Sequence, residues 1–212
     1  MEIGVADDLH VGYVLWWSQP DLMNSGYLFR SCDSEAGEVK TVVVAVWAGG
    51  IGNLRQHWSW TKETCALGKC VLVVNGSGTG PHEPYLIYGK PARRLFGVMH
   101  KLTDDLLWLG DSLAAIRTYD IIRCADVIRE LDECHDAVIE FYTVGRHGLY
   151  VQLASVLDDR IEVPAIDDAF DGSITDRVKA REYETEDSMS FVIPGILQYL
   201  DLPELRRKGD QQ

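Results

Sequence analysis

Ala137-Val138-Ile139-Glu140-Phe141-Tyr142, then Thr143-Val144-Gly145-Arg146-His147-Gly148, then Leu149-Tyr150-Val151-Gln152-Leu153-Ala154-Ser155-Val156-Leu157: these consecutive segments decide the fold. The first is a short apolar run with β-branched and aromatic residues, the composition of a buried strand. The last has helical character. Between them, Gly145 and Gly148 supply the backbone freedom that a tight turn with φ > 0 demands. A strand that passes through a tight turn straight into a helix belongs to a sheet built by crossovers.

The alternation recurs upstream. Thr41-Val42-Val43-Val44-Ala45-Val46-Trp47 is β-branched and uninterrupted, which predicts a central strand. Ala48–Gly52 turns out of it, and residues 54–67 read as a helix ended by Gly68. Lys69–Asn75 is the next buried strand, and Gly76-Ser77-Gly78-Thr79-Gly80-Pro81 a glycine-rich turn. Residues 81–110 are irregular, with a short helix expected at Ala92–Lys101. A long helix follows from Asp111 to near Glu133, with Ile122, Ala125, Ile128 and Leu131 on one face. Beyond the opening stretch, Arg160–Ile166 reads as a short strand and residues 167–187 as an acidic loop or cap. At the other end, Val11–Trp17 and Tyr27–Arg30 read as an antiparallel pair. The sum is an α/β chain: a mostly parallel sheet with helices on both faces and an antiparallel N-terminal lead-in, in one domain over residues 1–212.

Composition bounds the function. The formal charge of −13 repels nucleic acid and anionic membranes, and it makes neither an expected partner. The five cysteines form no C-x-x-C pair and no zinc-ligand spacing with histidine. Cys70 and Cys124 lie in apolar patterns, as buried thiols do. The start of the chain shows no basic region followed by an apolar core, and no apolar run approaches ~18 residues. A cytoplasmic protein with no membrane span is therefore expected.

With that layout, the chain resembles the α/β-hydrolase fold, in particular its acetyl-xylan-esterase-like and deacetylase-like members. The likeness runs over residues 11–206. It rests on the strand 41–47 with Gly49-Gly50, on Val71–Gly80, on Gly110–Asp120, and on Gly148–Tyr150 through Leu157–Ile161. Val192–Pro203 adds to it. The resemblance implies a G-x-S-x-G elbow at Thr143–Gly148. The residues depart from it: the best register puts Gly145 at the serine position, an alternative puts Arg146 there, and neither is a nucleophile. No histidine occurs after His147, and the chain stops at Gln212 before the family's later acid and histidine strands. An incomplete hydrolase fold is expected.

Each candidate site has a plainer reading beside it. At the elbow, His147 could be a displaced base and Arg146 an anion contact; the plainer reading is that Gly145 and Gly148 serve the turn. Gly110-Asp111-Ser112-Leu113 spells the GDSL esterase motif, with Leu106–Leu109 as a short strand before it and Ser112 at a helix N-terminus. That family's late Asp-x-x-His pair is missing, and Ser112 or Asp111 serves more simply as a helix cap. The turn 76–80 hints at phosphate binding but lacks the third glycine and a Lys-Ser/Thr pair. His82, Glu83, His100 and the acids Asp158, Asp159, Asp167, Asp168 and Asp171 have no metal-ligand spacing. Trp58-Ser59-Trp60 could line a sugar-sized pocket, and core packing is the commoner use.

The expectation is an α/β-hydrolase-like protein without a working triad, either a pseudo-hydrolase or a fragment of an acetyl-ester hydrolase. No cofactor or metal is expected. The alternatives are an esterase acting on a small-molecule or carbohydrate ester, or a non-catalytic module that pairs with a partner or a second copy. The esterase would use Ser112 or an unrecognised serine, with His82, His100 or His147 as base.

Overall fold

Val42, Val44, Leu72 and Val74 point to one side of a sheet, while Ala45, Val71 and Val73 point to the other; all are buried. Strand residues alternate faces, so a run with no polar residue forms a strand covered on both sides. The computed structural model describes residues 2–33, 39–84, 96–162, 173–180, 190–201 and 204. In chain order its elements are β1 (Glu2–Ala6), β2 (Leu9–Gln19), β3 (Leu22–Ser31), β4 (Thr41–Val46), α1 (Leu54–Ala66), β5 (Cys70–Asn75), α2 (Val98–Trp108), α3 (Leu113–Glu130), β6 (Val138–Thr143), α4 (Gly148–Leu157) and α5 (Ile174–Ala180).

The six strands form one mixed sheet in the order β1-β2-β3-β5-β4-β6. The pairs β4–β5 and β4–β6 are parallel; β1–β2, β2–β3 and β3–β5 are antiparallel. The α/β class and its antiparallel lead-in are as the sequence predicts, but the lead-in is three strands rather than two. The added strand, β1, is exposed along its length and shifts register between Glu2 and Gly4. It has no buried face, hence no alternation for a reader to detect. Asp7 (φ 48°) and Asp8 (φ 62°) form its turn into β2, in the left-handed region that Asp tolerates.

Helix α1 packs on the Val71 and Val73 side, and α3 on the Leu72 and Val74 side together with α4. In α3, Ile121, Cys124, Ala125 and Ile128 are buried, with Ile122 and Leu131 packed at the margin. The expected core face is therefore correct and wider than read. Helix α4 is apolar nearly all round, and residues 148–154 are all buried.

Two expectations change. Leu106–Leu109 is not a strand: it is the end of α2 and its C-cap, with Met99, Thr103 and Leu106 at helical spacing on the buried side. Arg160–Glu162 is not a strand either, because Arg160 turns back to bond Asp158 and reaches Asp126 at 2.7 Å. The rest of that segment, 163–166, lies outside the described residues. So does most of the expected cap at 167–187, in which Ile174–Ala180 is helical.

Leu72→Ala removes a fully buried side chain from the sheet centre and is expected to cost about 2–5 kcal/mol. Trp108→Ala, at a side chain 89% exposed, is expected to leave stability nearly unchanged. Urea denaturation of the two variants checks the contrast.

Candidate functional site at the carboxyl rim of the sheet

β4, β5 and β6 run in parallel, so Trp47, Asn75 and Thr143 bring their following turns to one rim. In open α/β sheets this is the end that binds ligands.

The turn after β6 has the expected shape. Gly145 takes φ 58°, residues Gly145–His147 make a single 3₁₀ turn, and α4 starts at Gly148. A Cβ on Gly148 would lie 3.1 Å from Thr143 Oγ1, so only glycine sits there without displacement. The neighbouring side chains are engaged in packing. Arg146 lies over the Phe191 ring at 4.6 Å. The His147 ring, 8% exposed, meets Tyr150 and Phe191 edge-on at 5.7 and 5.6 Å. Tyr150 stacks on Phe191 at 5.3 Å, accepts a hydrogen bond from Arg117 Nη1 and donates one to the Ser190 carbonyl.

Ser112 caps α3. Its Oγ accepts from the Ala115 N–H at 3.0 Å, and the Asp111 carboxylate accepts from the Ser112 N–H at 2.7 Å. The side chain is fully buried, and among the described residues no imidazole hydrogen-bonds to it. The segment before it is α2 and not the short strand that the GDSL reading expects.

Among the described residues the structure joins a hydroxyl to an imidazole, a pairing not legible in sequence. Ser25 Oγ, on β3, lies 2.9 Å from His82 Nε2, in the turn after β5. Asn75, the last residue of β5, organises the contact. Its Nδ2 donates to Ser25 Oγ at 3.1 Å and its Oδ1 accepts from the Ile51 N–H at 2.8 Å. A Cβ on Gly80 would come within 2.6 Å of that Oδ1, and one on Gly50 would also run into it. Both glycines have positive φ, so they meet the close approach and the turn geometry together. Ser25 has no exposed surface, and the Ile51 amide is already spent on Asn75. The cluster stitches the turns after β4 and β5 to β3. The His100 ring instead lies 3.5 Å from the Asp104 carboxylate on its own helix.

Beneath the same rim, on the α3 side, Asp120 is buried and accepts from Ser18 Oγ at 2.6 Å and from the Ser77 N–H at 2.8 Å. Trp58 donates to Asp7 and meets Phe29 edge-on, while Trp60 stacks on Tyr142 at 3.9 Å. Both tryptophans are thus packing residues. Burial pushes the Cys65 and Cys134 thiols up to about 11 and Cys70 up to about 12, so these thiols stay protonated and unreactive at neutral pH. Among the described residues no three His, Cys, Asp or Glu side chains converge on a metal position. A cavity of about 250 Å³ lined by His10, Arg30, Glu133 and Cys134 lies at the opposite end of the sheet.

No protein-family model matches the chain, and no curated protein matches its sequence. Solved structures do match. An acetyl-xylan-esterase-like protein from Bacteroides fragilis superposes with a TM-score of 0.66 at 10% identity, over 97% of this chain and 58% of that one. Acetyl xylan esterase 1 from Thermoanaerobacterium sp. gives 0.54 at 13% identity, over 76% of this chain and 49% of that one. A hypothetical protein from Pseudomonas aeruginosa gives 0.52 at 14%, over 99% and 53%. The chain therefore has an α/β-hydrolase-like fold, and it spans about half the length of these neighbours. Among the described residues no helix is long and apolar enough to cross a membrane.

Burial lowers the pKa of His82 below its ordinary 6.5, against a smaller upward pull from Asp120. Burial lowers His57, stacked on Trp47, in the same direction. The unfolded chain then binds more protons below pH 6.5, so the stabilisation is complete above that pH and is lost as pH falls through the lowered values. Unfolding free energy is expected to decline from pH 7.5 to about 5. His82→Gln should flatten part of that decline and leave the part due to His57.

Proposed function

We propose that this chain is an α/β-hydrolase-fold protein whose elbow holds no attacking oxygen, a pseudo-hydrolase of the acetyl-xylan-esterase-like kind. The observation that carries the proposal is Gly145. It occupies the φ > 0 turn between β6 and α4, where this type of turn presents a nucleophile, and it has no side chain to present. Three facts support the reading. Arg146 and His147 pack against Phe191. Ser112 Oγ is committed to its cap. Covalent catalysis needs a nucleophile within reach of a base, and at the elbow neither is free for the task. The role is then binding or structural, in the cytoplasm, or that of one part of a longer acetyl-ester hydrolase.

One observation favours a second reading, an esterase built on Ser25 and His82. A hydroxyl 2.9 Å from a neutral imidazole has the geometry of a nucleophile and its base. The full burial of Ser25 and the engaged Ile51 amide weigh against it, because substrate and oxyanion both lack a place.

The neighbours' names define the assay substrate. Hydrolysis of p-nitrophenyl acetate by the wild type, Ser25→Ala and Ser112→Ala is expected to stay at the protein-independent background in all three. Turnover abolished by Ser25→Ala would establish the second reading, and turnover abolished by Ser112→Ala alone would revive the GDSL arrangement. Ser112→Ala should also lower stability by about 1 kcal/mol through loss of the cap.

A further inference from the structure

Three polar side chains near the turn 76–78 have no hydrogen-bond partner among the described residues. They are Asn24, through both its amide oxygen and its amide nitrogen, Trp16 through Nε1, and Ser77 through Oγ. Trp16 and Asn24 are direct cross-strand partners on β2 and β3, so both face the α3 side of the sheet. Ser18, two residues beyond Trp16, reaches Asp120 from that same side. Asn24 is one position past the Ser25–Asn75 pair, which brings it alongside Gly76. Asp120 closes the space, since a Cβ on Gly76 would lie 3.2 Å from its Oδ2. Sheet, helix and turn therefore converge on one buried polar region, and none of the six side chains they bring there (Trp16, Ser18, Asn24, Ser77, Arg117, Asp120) is more than 7% exposed.

Leaving a buried polar group unsatisfied costs about 1–3 kcal/mol, so four orphaned atoms in one buried region point to an occupant. Its chemistry follows from the lining. A metal cation is disfavoured by the Trp16 N–H, which can only donate, and by the Arg117 guanidinium, which bonds the Ser77 carbonyl at 3.0 Å. An anion is disfavoured by the Asp120 carboxylate. A neutral molecule that both donates and accepts, small enough for a buried space, fits all the orphaned atoms. We infer that this region is an internal hydration site. At least one long-lived water joins the Asn24 amide to Trp16 Nε1 or Ser77 Oγ, and ties β2 and β3 to the turn that α3 holds through Asp120.

Oxygen-17 relaxation dispersion of water in a solution of the full chain reads such molecules directly. The dispersion amplitude is expected to fall in Asn24→Leu by the equivalent of about one or more long-lived waters. An amplitude equal to that of the wild type would overturn the inference. Should Asn24→Leu fail to fold, Ser77→Ala and a high-resolution crystal structure of the wild type decide. Density within hydrogen-bond distance of the Asn24 amide supports the site, and its absence overturns it. Exchange of sodium chloride for potassium or choline chloride is expected to leave the melting temperature unchanged. A stabilisation specific to sodium would replace water by a cation.

Discussion

The carboxamide of Asn75 is the constraint on which the rim of this protein depends. It stands at the end of a buried strand, where its backbone can turn away while its side chain stays inside. One carboxamide offers two donors and an acceptor oxygen. Here these hold the turn after β4 through Ile51 and the edge of the antiparallel lead-in through Ser25. Gly50 and Gly80 exist at their positions because that oxygen lies where their side chains would be. Asp120 does the corresponding work on the other face, receiving Ser18 from β2 and Ser77 from the turn after β5. Two buried polar anchors, on opposite sides of one sheet, thus position the turns that surround the elbow.

That arrangement holds the turn after β6 without any help from a serine at its tip, as the proposed pseudo-hydrolase reading requires. The turn after β6 is fixed by backbone geometry, by the tight fit of Gly148 against Thr143 and by the packing of α4. None of these requires a serine. The side chains next to Gly145 have taken up structural work: Arg146 and His147 hold the segment around Phe191, and Tyr150 joins that segment to Arg117. A residue that serves packing in this way resists replacement for reasons unrelated to catalysis.

How far the sequence could be read follows from which signals are local. The strands around Val43 and Leu72, the helix of Ala125 and Ile128, and the turn at Gly145 each announce themselves within a window of about ten residues, through period, β-branching or glycine. The cap role of Ser112 was legible for the same reason. β1 has no local signal because it buries nothing, and the apolar run Leu106–Leu109 resembles a short strand although it closes α2. The contacts Ser25–His82 and Ser18–Asp120 span 57 and 102 residues. No local pattern encodes them; they arise only after the sheet order sets β3 against β5 and α3 over β2. The site was therefore legible in its backbone and hidden in its polar wiring.

The central claim, that no activated oxygen stands at this rim, is tested most directly by intact-protein mass spectrometry after incubation with a fluorophosphonate, which phosphonylates activated serines. The account predicts an unchanged mass. A stoichiometric single adduct, mapped to Ser25, Ser112 or any other serine, would contradict it.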